Sequence, residues 1–329
     1  MKKFIVLMLI SVIVMGLLFA GGNKETSKGN LKVIATIFPE YDWVREILGS
    51  NPAGVDVKLL LDNGVDLHSY QPSADDIVAI STCDLFIYVG GESDEWVEDV
   101  LEESVNKDMK VINLMAVLGD LAKEEELKEG MQASEHEHEH EHEHEHEEGE
   151  VEYDEHVWLS LRNAKVLCAE IASALQSLDA SNSAVYKSNL DAYVAKLDAL
   201  DSSYSSVVSS ASFRTLLFGD RFPFRYMVDD YGLDYYAAFI GCSAETEASF
   251  ETIAFLVDKV NSLGLKSIMT IDRSDKKIAQ TIASNSNSKD QQVLTMNSLQ
   301  SVTAEDVKGG ITYLGVMENN LEVLKQALN

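Results

Sequence analysis

The chain is short of cysteine, of positive charge and, outside one segment, of histidine. Its three cysteines, Cys83, Cys168 and Cys242, are odd in number and widely spaced, with no C-x-x-C, so they form no disulfide framework. Cys83 and Cys168 sit in apolar patterns and read as small core residues; none of the three is assigned to a metal. Against 55 Asp and Glu there are 26 Lys and Arg, a formal net charge of -29. With so little basic surface, nucleic acid is excluded as a partner, because phosphate binding needs cationic patches. An acidic surface suits cations and solubility instead. No H-E-x-x-H, G-x-S-x-G or other catalytic signature occurs, which argues against an enzyme.

Histidine is concentrated in one place. Six of the eight, His136, His138, His140, His142, His144 and His146, alternate with glutamate between Ser134 and Glu148. The run has almost no apolar surface to repay the entropy of ordering and is expected to be disordered. Imidazole and carboxylate both bind divalent transition metals, so many copies make a dense, unselective chelator. The plain alternative is a solvated low-complexity linker. Two histidines remain, His68 and His156, one on each side of the run.

At 329 residues and 46% hydrophobic composition, the chain can give two lobes a core each. Residues 1–22 read as an export signal. Lys2 and Lys3 precede an apolar stretch from Phe4 to Phe19, and Ala20-Gly21-Gly22 supplies small residues for cleavage. The apolar stretch is shorter than the roughly 20 residues of a membrane span. Phe19-Ala20-Gly21 resembles a lipoprotein signal whose acylated Cys is replaced by Gly22. A soluble exported (periplasmic or extracytoplasmic) protein is expected, with membrane attachment as the alternative.

Beyond residue 30 the pattern alternates. Strand-like runs at Leu31–Ile37, Val55–Leu61, Asp84–Gly91 and Lys110–Leu114 are separated by helical spacing at Tyr41–Leu48, after Ser73, and at Glu95–Ser104. Phe38-Pro39 reads as a loop. This is the signature of a parallel α/β lobe, placed over residues 23–180 with the His/Glu run (134–148) inserted in it. A further helix spans Asn163–Leu178. A longer one, Asn182 to Ser210 within a linking segment at 181–211, contains no Pro or Gly and is ~42 Å long at ~1.5 Å per residue. Alternation restarts in a second lobe, 212–329. Its strands are expected at Thr215–Gly219, Tyr235–Ile240, Ser267–Ile271 and Val293–Met296, and its helices at Ser249–Ser262, Asp272–Ala283 and Tyr313–Leu328. The fold class is α/β: two parallel-sheet lobes joined by one long helix.

Ligands in open α/β sheets collect beyond the carboxyl ends of the strands. His68, His156, Asp220 and Asp272 all fall just after, or in a loop beside, a strand-like segment. A divalent ion held by His from one lobe and carboxylate from the other would bridge the cleft. A lone loop histidine is more often a hydrogen-bonding residue, but these two are the only histidines outside the run.

Val65-Asp-Leu-His68-Ser-Tyr-Gln-Pro-Ser73 resembles the V-D-P-H-x-Y-E-P-(S/T) motif of the substrate-binding proteins of zinc and manganese ABC importers. Thr36-Ile-Phe-Pro-x-Tyr-x-Trp-Val44 and Tyr153-Asp-Glu-His156-Val-Trp-Leu-Ser160 are similar to two further segments of that family, Glu155 standing where the second motif has Pro. The resemblance runs from Leu31 to the C-terminus. It implies that His68 and His156 are metal ligands, that the ion is zinc by virtue of the His-rich insertion, and that the ion passes to a membrane permease. It implies a monomer that closes its lobes on the cation, with Mn2+ or Fe2+ as alternative cargo. The family's third ligand falls at Arg221 when Phe224-Arg-Tyr226…Tyr231-Gly232-Leu233 is matched. Arginine cannot coordinate a cation, so the neighbouring Asp220 becomes the candidate. Asp272 or Asp275 would supply a fourth, acidic ligand. Glu247 resembles a family glutamate read as structural. Affinity is expected to fall as pH drops through about 6.5, where imidazole protonates.

Two other readings are weighed. An exported zinc hydrolase would use Glu155 or Asp220 as general base. A surface adhesin or zinc buffer would rely on the run instead of the cleft.

Overall fold

The computed structural model describes residues 30–132, 152–243 and 247–329. The expected export signal and the His/Glu run lie outside them. Among the described residues no helix is long and apolar enough to cross a membrane.

The N-terminal lobe is a four-stranded parallel sheet, order β2-β1-β3-β4, made of β1 (Lys32–Ala35), β2 (Asp56–Leu59), β3 (Leu85–Tyr88) and β4 (Lys110–Asn113). The C-terminal lobe repeats the plan in the order β6-β5-β7-β8, from β5 (Thr215–Phe222), β6 (Asp234–Ile240), β7 (Ser267–Ile271) and β8 (Gln292–Met296). Central strands are the apolar ones. β3 (Leu-Phe-Ile-Tyr) and β7 (Ser-Ile-Met-Thr-Ile) are covered on both faces, while the edge strands β2, β4 and β8 stay partly open. That division follows from helices packing on both sides of a parallel sheet.

The first helix, α1 (Phe38–Leu48), begins at Phe38, earlier than its apolar spacing indicates. Pro39 occupies the first turn, where its missing N–H costs nothing. Glu40 Oε2 then accepts the Thr36 and Ile37 amides at 2.8 and 3.2 Å. β5 also runs past its expected end at Gly219 as far as Phe222, with a register shift between Phe218 and Arg221. Asp220 and Arg221 are therefore strand residues and not loop residues. Gly219 permits this because a Cβ there would stand 2.6 Å from the Ala279 backbone. The helix expected from Asp272 starts only at Lys277, after a turn in which Arg273 and Lys276 take positive φ.

Two long helices follow the N-terminal lobe: α2 (Leu161–Leu178) and α3 (Ser183–Ser209). α3 buries Tyr186, Tyr193, Leu197, Leu200, Tyr204 and Val208. Near its start Asn189 Nδ2 donates to the Ile47 carbonyl of α1 at 2.9 Å. Near its end the Tyr204 hydroxyl donates to the Met317 carbonyl at 2.6 Å, on α4 (Tyr313–Ala327). One helix is thus fixed to both lobes.

The lobes also share a core. The Tyr313 amide donates to Asp42 Oδ2 at 2.8 Å, its ring meets Trp43 edge-on at 5.1 Å, and its hydroxyl donates to the Trp158 carbonyl at 2.7 Å. A single apolar cluster runs from Val33 to Leu328 across the boundary. Swinging one lobe on the other would expose part of it at about 25 cal/mol per Å2. The shared core thus ties the two lobes together across their boundary. A strap at Ala122–Gln132 adds to this. Lys123 N–H donates to the Tyr226 hydroxyl at 3.0 Å, and Gln132 N–H donates to the Ala238 carbonyl of edge strand β6 at 3.0 Å.

Candidate metal centre

After β2 the chain enters a short 3-10 turn, Leu67–Ser69, which Asp66 starts by accepting the His68 amide at 3.1 Å. The turn aims the His68 ring at the boundary between the lobes. Its Nδ1 lies 2.7 Å from Ser93 Oγ and 3.4 Å from Glu155 Oε2, while Glu155 Oε1 accepts the Ser93 amide at 2.9 Å. His156 is fully buried. Asp154 Oδ1 accepts both its backbone N–H at 2.8 Å and its Nδ1–H at 2.9 Å. A carboxylate can only accept, so His156 carries its proton on Nδ1 and turns a lone pair outward from Nε2. Glu155 and Ser93 dispose His68 alike. Consecutive acidic residues, Asp154 and Glu155, therefore orient two different imidazoles, as carboxylates behind metal-binding histidines do.

The two Nε2 atoms face each other at 3.1 Å. Zinc bonds to imidazole at about 2.0–2.1 Å, so two nitrogens of a tetrahedral site stand roughly 3.3 Å apart. The observed pair needs almost no movement to share an ion. Burial, followed by the charge of His156, pushes His68 down to about 3. That direction favours the neutral imidazole that a cation needs.

Two further groups complete the cluster, and neither was expected. A ring nitrogen of each histidine and the Cys242 Sγ lie within 4.8 Å of one another. Cys242 stands two residues past β6, after Gly241, where a Cβ would come 2.9 Å from His156 Cε1 and from the Phe222 carbonyl. Only glycine lets the backbone pass this close. Burial and then Asp154 push the thiol well above its ordinary range; a coordinated cation would deprotonate it. Opposite, the Gln300 amide Nε2 is 2.8 Å from His156 Nε2 and 3.2 Å from His68 Nε2. Cys242, left without a metal role by the sequence reading, thus stands beside the imidazole pair; its place just beyond a parallel strand is the signal that could have singled it out. Gln300 follows β8 in the same way, but a lone amide gives no sequence signal.

The expected carboxylates lie elsewhere. Asp220 Oδ1 accepts the Arg221 amide at 3.0 Å and its Oδ2 the Ile271 amide at 3.4 Å. Asp272 Oδ1 accepts the Ser298 amide at 2.6 Å and hydroxyl at 2.8 Å. Asp275 is exposed and paired with Lys277 at 2.5 Å. Among the described residues none of the three joins the imidazole pair. They line a neighbouring cleft of about 410 Å3 together with Asp66 and Arg221. The reason is electrostatic as well as geometric: Arg221 crosses from the C-terminal lobe to ion-pair with Asp66 of the N-terminal lobe. An ion pair thus spans the boundary where a metal-bound carboxylate was expected. Among the described residues Glu247 joins no such cluster, and its charge acts on Lys277.

On the other side, His68 and Cys242 open into a pocket of about 260 Å3 whose walls carry Glu92, Glu125, Glu152 and Glu155. Burial, and then Asp154, hold Glu125 up at about 7.

The family model for zinc-uptake complex component A, periplasmic, matches residues 33–327. The zinc-binding lipoprotein AdcA of Streptococcus pneumoniae is 31% identical over 94% of this chain, which spans only 58% of that relative. The high-affinity zinc uptake system protein ZnuA of Bacillus subtilis is 31% identical over 95% of this chain and 94% of its own length. The Zn(II)-bound ZnuA-like domain of S. pneumoniae AdcA superposes with TM-score 0.69 at 28% identity, covering 91% of this chain and 99% of the domain. The chain belongs to the zinc-uptake complex component A family.

Proposed function

We propose that the protein is an extracytoplasmic, non-catalytic zinc-binding component of a zinc uptake system, which takes Zn2+ between its lobes and presents it to an ABC-type membrane permease. The observation that carries this reading is the convergence of two carboxylate-flanked imidazole Nε2 atoms at 3.1 Å, one fully buried and one half-buried, with a thiol beside them. His68 and His156 hold the ion and Cys242 gives the third bond as a thiolate. Imidazole and thiolate donors favour Zn2+ over Mn2+, which prefers oxygen. The two zinc-named relatives and the zinc-bound neighbour support the same cation. Export is supported by the family's periplasmic description and by the leader-like stretch at 1–22, and attachment to the membrane is left to the cell. The His/Glu run acts as an accessory collector of cations.

Elemental analysis of purified protein, with competition titration of Zn2+ against Mn2+, tests the proposal on wild type, His68→Ala, and a chain lacking Ser134 to Glu148. One tight zinc site should survive the deletion and disappear in His68→Ala. Loss of all tight binding on deletion would move the primary site to the run and overturn the assignment.

A further inference from the structure

We propose that Arg221 sets the cation preference of the site: its guanidinium keeps the Asp66 carboxylate away from the ion, which is left to nitrogen and sulfur donors. This rests on the cleft reading above and adds a specificity-determining residue to it. Three observations support it.

The first is where Asp66 stands. Its Oδ1 lies 3.9 Å from Nε2 of His68, the nitrogen that faces His156. Neighbouring donors of a zinc tetrahedron are roughly 3.3 Å apart, so a small shift would let this oxygen share the ion. Instead Oδ1 accepts the His68 amide at 3.1 Å, and Oδ2 is taken by Arg221 Nη2. The second is how Arg221 is anchored. It belongs to β5, and its own amide donates to Asp220 Oδ1 at 3.0 Å. From there Nη1 donates to the Ser243 carbonyl at 3.3 Å, one residue past Cys242. One guanidinium thus ties the turn that carries His68 to the turn that carries Cys242, each from a different lobe. The Arg221 and Asp66 side chains are only 18% and 14% exposed, so water offers neither much of an alternative partner.

The third is charge. Two neutral imidazoles and a thiolate leave a bound divalent ion with residual positive charge, and the Asp66–Arg221 pair adds none. Without the guanidinium, Asp66 would be a largely buried carboxylate lacking its counter-charge, and the nearby cation would become its partner. A carboxylate oxygen is the kind of donor that Mn2+ prefers, so its entry would erode the preference that imidazole and thiolate give to Zn2+. Arginine suits the task. It stays protonated and cannot itself coordinate, and its planar fork holds a carboxylate and a carbonyl at once. At the position where the resemblance implies a third metal ligand, the chain therefore carries a residue that withholds an oxygen donor instead of supplying one.

The probes are Zn2+ and Mn2+, each titrated alone against a chromophoric chelator on the full chain. Arg221→Met keeps the reach of the side chain and removes its charge. It should strengthen Mn2+ and lower the preference for Zn2+ over Mn2+ about tenfold or more. Arg221→Lys, which keeps a charge beside Asp66, should restore most of that preference. Adding Asp66→Asn to Arg221→Met should return it to the wild-type value, because the amide oxygen can still accept the His68 N–H but the freed carboxylate is gone. An unchanged preference in Arg221→Met, or a lowered one that persists in the double variant, would overturn the proposal. A clamp with no part in selectivity predicts both ions weakened alike, and that result overturns it too. Arg221→Gln, which keeps a donor for the Ser243 carbonyl, carries the same expectation and decides the matter if the Met variant does not fold. His68→Ala is run alongside. If it weakens Zn2+ and the Arg221 variants leave the preference unchanged, only the role of Arg221 is lost; if it does not weaken Zn2+, the cleft reading itself fails.

Discussion

The two lobes contribute to the centre by different physical means. The N-terminal half offers imidazoles, each fixed by a buried carboxylate: Asp154 directly on His156, Glu155 beside His68 and through Ser93. The C-terminal half offers a thiol and an amide fixed by backbone shape: Gly241 lets Cys242 approach, and the left-handed Leu299 aims Gln300. The first arrangement tunes the ligand's tautomer and lone pair; the second sets only where a side chain stands. It follows that the N-terminal half should be sensitive to losing a charge, and the C-terminal half to small changes in volume or backbone freedom.

The largest effect expected from that contrast is at the imidazoles. Structural zinc binding is worth about 10–16 kcal/mol over four ligands, or roughly 3 kcal/mol each, so His156→Ala should weaken Zn2+ by about a hundredfold or more. Competition with a chelator of known affinity measures it, and retention of wild-type affinity would remove His156 from the site. Next comes Asp154→Asn, which keeps the size of the side chain but removes the charge behind Nδ1. A loss of about 10–100-fold in affinity is expected; Glu155→Gln should follow in the same direction with a smaller loss, because it acts on His68 chiefly through Ser93. Equal and negligible effects at both positions would show that the carboxylates do not tune the imidazoles.

On the C-terminal side, Gly241→Ala should disturb the site without touching a donor, since its methyl would meet the His156 ring and the Phe222 carbonyl at 2.9 Å. The expected result is a loss of stability of about 1–3 kcal/mol by thermal denaturation together with weaker Zn2+ binding. A variant that binds and melts like wild type would show that the backbone there is not tightly constrained.

The smallest effect concerns pH and separates the lobes again. Behind its histidines the N-terminal lobe buries further acids. Glu40 is pushed up to about 8, by burial and then by Asp94, and Asp94 to about 7, by burial. Between about pH 4.5 and 8 the folded chain keeps a proton on Glu40 that the unfolded chain has released, so stability falls as pH rises across that window. Glu40→Gln should flatten this slope and raise the melting temperature at pH 8 relative to wild type by a few degrees. An unchanged slope would mean that Glu40 is already ionised, stabilised by the Thr36 and Ile37 amides it accepts.

How far the chain could be understood before it was folded varied with the kind of residue. The alternation of strands and helices and the Pro- and Gly-free stretch at 182–210 foreshadowed two parallel lobes and α3, because periodicity is a local property. His68 and His156 stood out by scarcity and by motif. The third and fourth donors were assigned to Asp220, Asp272 and Asp275 by position along the chain. Tertiary structure ties these carboxylates to backbone amides, to Ser298 and to Lys277 instead.

What the sequence determined by itself is therefore the architecture, because apolar periodicity dictates the sheets, and it singled out by scarcity and motif the two histidines that the fold brings together. Only the tertiary structure decided that Cys242 and Gln300 face them, that Arg221 pairs with Asp66, and that a shared core holds the lobes together. The physical reason is separation along the chain. His68 and Gln300 are 232 residues apart, and no local pattern records which strand ends will meet once two sheets pack around a common core.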